Sequence, residues 1–334
     1  MPGEQECAGH LMVPCDNISP TRGVLFCGEC GGTLWYLVQT VYSCSRCGLL
    51  VHAHCVAKIR RRCVASFLTE AEADTAPRFW DGSLQLSICP ELSLAEQQFR
   101  CLECELEFTH FSSARLCDYT GGYYCHQCHW AAASPSPARI IHNWDFTPVS
   151  MCQAALQYLA LVARRPLINL EKLNPSLSAV IHDVAAVVKM RQQLISMKKY
   201  LVVCRIAGEE RLLTQLQDRQ HFVDSAEMFS FRDLVDIHTG VLQTYLQAKI
   251  ARFKSHIITC VLCMAKSFVC ELCPGPGHDK ECLFPFDDLV EVCPVCEAVF
   301  HRDCFRSVAT CPRCDRKKEK KECVKSTVFT VDIN

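Results

Sequence analysis

No run of eighteen apolar residues occurs in the 334-residue chain. Even AVIHDVAAVV, at 179–188, is cut by His182 and Asp183, so no helical membrane span is expected. Nor does one sign of charge prevail. Thirty-five Lys and Arg stand against 36 Asp and Glu, a net charge of −1. That balance, without a basic stripe of interleaved aromatics, argues against a nucleic-acid ligand and against strong attraction to an anionic bilayer. The opening MPGEQECAGH has neither a basic n-region nor an apolar h-region, which predicts no secretory signal and an intracellular, cytoplasmic protein. There is no P-loop, no Gly-x-Ser-x-Gly and no dinucleotide fingerprint. No small-molecule substrate and no enzymatic activity are expected.

Cysteine is what the sequence has in excess, 27 in all. Only Cys152 and Cys204 fall within residues 129–259; the others crowd the two flanks, mostly as C-x2-C pairs. In a reducing compartment disulfides do not persist, and such pairs are metal thiolates. Two sulfurs across a two-residue turn can both reach one zinc at about 2.3 Å. Two such half-sites close a tetrahedron and leave no open position for substrate water. Redox chemistry of the thioredoxin kind would instead need one C-x2-C opening a helix.

The first flank follows C-x2-C-x13-C-x2-C-x4-H-x2-C-x7-C through Cys27, Cys30, Cys44, Cys47, His52, Cys55 and Cys63. This spacing resembles the C1 zinc finger, the diacylglycerol-binding module type, and sets a C1-like domain at 10–63. The family's leading histidine would fall on Pro14, and a four-residue insertion near RGVL (22–25) restores His10 as ligand, with Cys15 the substitute. The resemblance implies one zinc on His10, Cys44, Cys47 and Cys63 and a second on Cys27, Cys30, His52 and Cys55. Lipid-binding members carry Gln-Gly before the third cysteine; Thr40 and Val41 stand there. Without that glycine the loop is less able to open a lipid groove, so a structural or protein-contact finger is expected. Weak peripheral membrane contact through WYLV (35–38) or KIRRRC (58–63) is the competing expectation.

Residues 64–88 are acidic, aperiodic and carry Pro77 and Gly82, a linker. Cys101, Cys104, Cys125 and Cys128 then form two knuckles of a zinc ribbon, with Cys117 and His129 expected to begin another site. Asn174 and Pro175 read as a helix start. A stripe through Leu177, Val180, Ile181, Val184, Val187, Val188 and Leu194 follows. Ser230 and Asp233 resemble a capping pair before a second amphipathic run to 253. His182, His221 and His238 have no C-x2-C neighbours and are expected to be ordinary helix residues.

The carboxy-terminal flank holds ten ligands in five pairs: Cys260/Cys263, Cys270/Cys273, Cys293/Cys296, His301/Cys304 and Cys311/Cys314. Cys282 and His256 are possible extras. One partition joins the first two pairs as a ribbon. The other is a cross-brace, 270/273 with 301/304 and 293/296 with 311/314. The order C-x2-C then H-x2-C is nearer PHD or FYVE fingers than a RING, which lowers a zinc-finger ubiquitin-ligase reading.

Together CDYTGGYYCHQCHW (117–130), PARIIHNWDF (137–146), RPLINLEKLNPSL (165–177), LQDRQHFVD (216–224), SFVCELC (267–273), FPFD (284–287) and CEAVFHRDC (296–304) resemble the Rubicon-homology family. The resemblance implies a multidomain fold rich in zinc and α-helix. An atypical C1 finger precedes a Rubicon-homology domain at 89–316, with a zinc module (89–130), a helical platform (140–256) and a second zinc module (257–316). Residues 317–334 form a polar tail. It further implies a zinc-dependent adaptor peripheral on late endosomes and lysosomes. Such an adaptor would bind a GTP-loaded late-endosomal Rab GTPase and trafficking adaptors, and act in lysosome positioning and secretory-lysosome delivery. A diacylglycerol-responsive signalling adaptor is the rival.

Overall fold

The computed structural model describes residues 4–15, 25–35, 38–66, 84–110, 113–273 and 281–318. Most of RGVL, Tyr36 and Leu37 of WYLV, linker residues 67–83, most of the PGPGHDKE insertion (274–281) and the tail from 319 lie outside the described residues. The chain divides into two compact units, residues 1–177 with 229–235 and residues 178–228 with 236–334.

Unit 1 opens with a four-stranded antiparallel sheet of β1 (Gln5–Cys7), β2 (His10–Pro14), β3 (Val41–Cys44) and β4 (Leu50–His52). Its pairing sets Met12 opposite Cys44 and Val41 opposite His52. A 3-10 turn, Ala53–Lys58, then carries Cys55 inward. The C-x2-C turns share one device. The N–H of the residue after the second cysteine returns to the carbonyl of the first, as in Gly31 to Cys27 at 2.9 Å, Gly48 to Cys44 at 2.8 Å and Glu105 to Cys101 at 3.0 Å. In the first finger that closing residue takes a positive φ, +72° at Gly31 and +74° at Gly48, where glycine meets no Cβ penalty.

The rest of unit 1 is built on short hairpins and helices. β5 (Arg115–Leu116) pairs with β6 (Tyr123–Tyr124), and β7 (Ala133–Ser134) with β8 (Val149–Ser150). Helices α1 (Pro137–Asn143) and α2 (Gln153–Val162) follow, then β9 (Ile168–Asn169), α3 (Leu170–Leu173) and the start of α4 (Pro175–Val180). Tyr119, Tyr124, Met151, Ala155, Tyr158 and Leu159 share one core with Val64, while Cys47 packs on its edge. Gln157 of α2 donates to the carbonyl and sulfur of Cys47, at 3.3 and 3.4 Å. The first finger keeps its own core around Met12, Val41 and Val51 and meets the α2 core at Cys47.

Strand β10 (Met228–Phe229) leads to α7 (Phe231–His238), whose opening lies in unit 1. The capping pair expected there is reciprocal. Ser230 N–H donates to Asp233 Oδ2 at 2.8 Å and Asp233 N–H to Ser230 Oγ at 3.1 Å, both residues buried. Ser230→Ala is expected to lower unfolding stability by about 1–2 kcal/mol in chemical denaturation. A change below a few tenths would show the box to be without weight.

Unit 2 rests on two long helices, α5 (His182–Leu201) and α8 (Val241–Thr259). Val184, Val187, Leu194, Met197 and Leu201 of α5 are buried, as are Leu242, Leu246, Phe253 and Ile257 of α8, each set at helical spacing. A 3-10 stretch, Leu213–Val223, supplies Phe222, on which the buried Arg191 guanidinium lies at 4.5 Å. Arg191 also donates to the carbonyl of Met228 at 2.7 Å, so the charge is held by acceptors inside the core. Two continuous helices of the sequence reading are each broken. α4 stops at Val180, which is 74% exposed, and α5 starts afresh at His182. Gly240, at φ +74°, separates α7 from α8.

After α6 (Arg205–Glu209) and α9 (Val261–Met264), the unit ends in a small module. A hairpin of β11 (Val290–Val292) and β12 (Val299–His301) leads into α10 (Arg302–Arg306). Phe284 and Phe286 of the FPFD stretch pack on Tyr200 of α5 with centroids 5.5 and 6.0 Å away. Lys199 and Glu297 form an exposed ion pair at 2.9 Å beside them.

Candidate metal centres

Six groups of convergent Cys and His side chains occur among the described residues, each with its donor atoms inside 4.8 Å of one another. In the first finger, His10 Nδ1 lies 3.3 Å from Cys47 Sγ, and Cys44 Sγ 3.9 Å from Cys63 Sγ. The second group sets His52 Nδ1 3.4 Å from Cys30 and 3.9 Å from Cys55, with Cys27 completing it. His10, not Cys15, is thus the fourth member of its group. Cys101, Cys104, Cys125 and Cys128 form the third, with Cys104 and Cys125 at 3.6 Å.

The carboxy-terminal pairs divide as the cross-brace. Cys273 Sγ is 3.1 Å from His301 Nδ1 and 3.9 Å from Cys304, with Cys270 alongside. Cys293 meets Cys314 at 3.7 Å and Cys296 meets Cys311 at 3.6 Å. The ribbon partition is excluded, because Cys260 and Cys263 are closed from elsewhere. Cys204 Sγ lies 3.6 Å from Cys260 and 3.5 Å from His256 Nε2, and all four members are buried. Cys204 was missed in the sequence, and His256 had been only a spare. Together they make twelve ligands of ten and resolve the surplus pair into a third site.

These distances fit a metal. Bonds of about 2.3 Å to sulfur and about 2.0 Å to nitrogen around a tetrahedron imply S···S edges near ~3.8 Å and S···N edges near ~3.5 Å. The donor chemistry, thiolates with at most one imidazole, is that of structural zinc sites. The electrostatics point the same way. Hydrogen bonds from Cys47 and Cys63 hold the Cys44 thiol far down, while Cys44 and Cys63 push Cys47 far up. Hydrogen bonds from Cys101 and Cys128 hold Cys104 down at about 4, while Cys101 and Cys104 drive Cys128 far up. Crowded sulfurs cannot all ionise against one another, and a bound divalent cation removes that conflict. The second ring nitrogens are also employed. His10 Nε2 and His52 Nε2 each lie 3.1 Å from a backbone carbonyl, of Arg61 and Thr33, and His256 Nδ1 is 3.6 Å from Glu210. Such outer partners fix the tautomer that leaves the other nitrogen for a metal.

Two expected ligands are corrected. His129 Nε2 lies 3.0 Å from the Leu116 carbonyl, and its Nδ1 accepts the N–H of Ala131 at 3.0 Å, so neither nitrogen is available to a metal. Cys117 stands instead beside Cys152, whose N–H donates to its sulfur at 3.2 Å. His182, His221 and His238 join none of the groups.

In the first finger the place of the lipid-site glycine is taken by Val41, buried in β3 with its carbonyl accepting the Cys15 N–H at 2.8 Å. That edge is closed by sheet pairing. Vesicle co-sedimentation is therefore expected to show no gain when diacylglycerol is added. A several-fold gain would overturn this.

The Rubicon homology domain model matches residues 115–319, well over half of the chain, and the phorbol ester/diacylglycerol binding (C1) domain model matches residues 19–66. The chain belongs to the Rubicon homology domain family. Family relatives include "Differentially expressed in FDCP 8 homolog" of Drosophila melanogaster, 38% identical over 89% of this chain and 58% of the relative. The protein of the same name from Caenorhabditis elegans is 35% identical over 97% of this chain and 66% of its own length. "Pleckstrin homology domain-containing family M member 3" of Homo sapiens is 34% identical over 72% of this chain and 31% of its own length. The chain thus spans about three fifths of the first two relatives. No helix among the described residues is long and apolar enough to cross a membrane.

Proposed function

We propose that this chain is a non-catalytic, zinc-organised adaptor of late-endosome and lysosome traffic. Its Rubicon homology domain would bind a late-endosomal Rab GTPase in the GTP-loaded state. The observation that carries the reading is the closure of the metal groups. Each brings four protein donors together, which leaves a metal no position for substrate. Metals bound in this way serve to hold a surface, and the surface between them is helical. α5 and α8 pack on each other, and Cys204 and His256, near their carboxy-terminal ends, belong to the fourth group. Family membership supplies the partner class, since the resemblance implies GTPase recognition by this domain. Under this reading zinc fills all six groups, the protein sits peripherally on late endosomes and lysosomes, and lysosome positioning and secretory-lysosome delivery are the processes served.

The test is a pull-down of the full zinc-loaded chain on immobilised Rab GTPases. Late-endosomal Rab locked with a non-hydrolysable GTP analogue is expected to retain the protein at least about tenfold better than its GDP form, a coupling of roughly 1.4 kcal/mol. Equal retention on both forms across the Rab panel would remove the reading.

A further inference from the structure

Cys117 begins a turn that has the backbone of a metal knuckle without the ligands of one. Gly121 N–H returns to the Cys117 carbonyl at 2.8 Å, and Gly121 takes φ +73°, as Gly31 and Gly48 do in the metal groups. A side chain at Gly121 would strike the carbonyl oxygen of Pro90 at 2.1 Å, so the turn is fixed by packing. The position of a second cysteine is held by Thr120. Cys117 and Cys152 belong to none of the six groups, yet both are fully buried and their thiols are hydrogen-bonding neighbours.

The environment of the two sulfurs is unequal. Cys117 Sγ accepts the Cys152 N–H at 3.2 Å, at the N-cap of the ten-residue helix α2. Thr120 adds backbone and side-chain hydrogen bonds, and the Cys117 thiol falls to about 6, with the Cys152 thiol its largest stabiliser. Burial drives the Cys152 thiol the other way. Thiolates at helix N-termini are the reactive ones, and neither sulfur belongs to a convergent metal group. A cavity of about 120 Å³ is lined by Cys117, Cys89, Ser136 and Arg139. It is large enough for a molecule the size of one or two waters.

We propose that Cys117 and Cys152 are a peroxide-responsive dithiol that closes reversibly to a disulfide while the six metal groups remain filled. The Cys117 thiolate attacks one oxygen of hydrogen peroxide. The O–O bond breaks, leaving a sulfenic acid on Cys117 and releasing hydroxide, which takes up a proton to become water. The Cys152 sulfur then attacks the sulfenic sulfur, losing its proton as hydroxide departs to form the second water. Two thiols are oxidised and one peroxide is reduced to two waters. Because this pair joins the 117–121 turn to the start of α2, oxidation would lock the helix that carries Gln157 to the first finger.

Full-length zinc-loaded protein is treated with a few equivalents of hydrogen peroxide, alkylated and digested. Linked peptides are mapped by mass spectrometry, and metal is counted on the same sample. The expected first product is a Cys117–Cys152 disulfide, reversed by dithiothreitol, with no metal lost. In Cys152→Ser, dimedone should trap a sulfenic acid on Cys117, and Cys117→Ser should abolish that adduct. Cys89→Ser should leave the disulfide unchanged. The proposal is overturned if metal thiolates oxidise and release zinc before this pair links, if Cys117 links to Cys89 instead, or if a seventh metal equivalent protects Cys117. Should Cys152→Ser fail to fold, the wild-type linkage map alone decides.

Discussion

Cys204→Ser is expected to lower the metal content from six equivalents to five and to melt the α5–α8 helix pair, while a Cys282→Ser control keeps both metal and fold. Cys204 follows the carboxy-terminal end of α5, and His256 and Cys260 close α8, so a metal held by this group would tie the two helix ends together. A structural zinc contributes about 10–16 kcal/mol of apparent binding energy. The net stability of a whole domain is only about 5–15 kcal/mol. Losing most of the first exceeds the second. Burying an unpaired imidazole and two thiols in the vacated site adds to the cost, since all four members are buried. Elemental analysis with far-UV circular dichroism reads both consequences. A variant that kept six equivalents and melted within ~1 kcal/mol of wild type would show the grouping to be wrong. Cys282 is suited as a control because it lies outside every group and is only partly buried.

What the sequence made legible follows from the range of each signal. A C-x2-C turn is local, and its spacing is enough to mark Cys101/Cys104 or Cys293/Cys296 as half-sites. The seven-ligand register of the first finger is likewise a chain-order pattern, and it brought His10 in through family resemblance despite Pro14. Pairing of half-sites is tertiary, so the sequence left two partitions open at the carboxy-terminal flank. Cys204 was invisible because it stands alone, 52 residues before His256, with no second ligand in its own turn. The one available signal was arithmetic: ten ligands cannot fill whole tetrahedra, and two unassigned residues had to complete the third. Cys117 misled for the opposite reason. Its turn is that of a ligand, and only Thr120 in the second place marks the missing partner. Helix breaks at Ile181 and Gly240 were masked by apolar spacing that continues across both.

Cys296→Ser is expected to cost two metal equivalents, not one, and to release the segment from Leu283 to Cys314. The reason is the interleaving of the cross-brace. Cys293/Cys296 lies in the chain between Cys270/Cys273 and His301/Cys304, so the ligands of one group flank those of the other on the β11–β12 hairpin. The module's own core is small, with Leu283, Val290, Val299 and Phe300 its buried large apolar side chains. A core of that size cannot offset the chain entropy of ordering the segment without both metals. His301 ends β12, so loss of the hairpin removes the nitrogen ligand of the neighbouring site along with the mutated sulfur. The Lys199–Glu297 pair, at the surface, is too weak to hold the module by itself. Metal content of four equivalents, with the α5–α8 pair still helical by circular dichroism, is the predicted outcome. A content of five would mean that each site folds its own loop independently, as separate ribbons would.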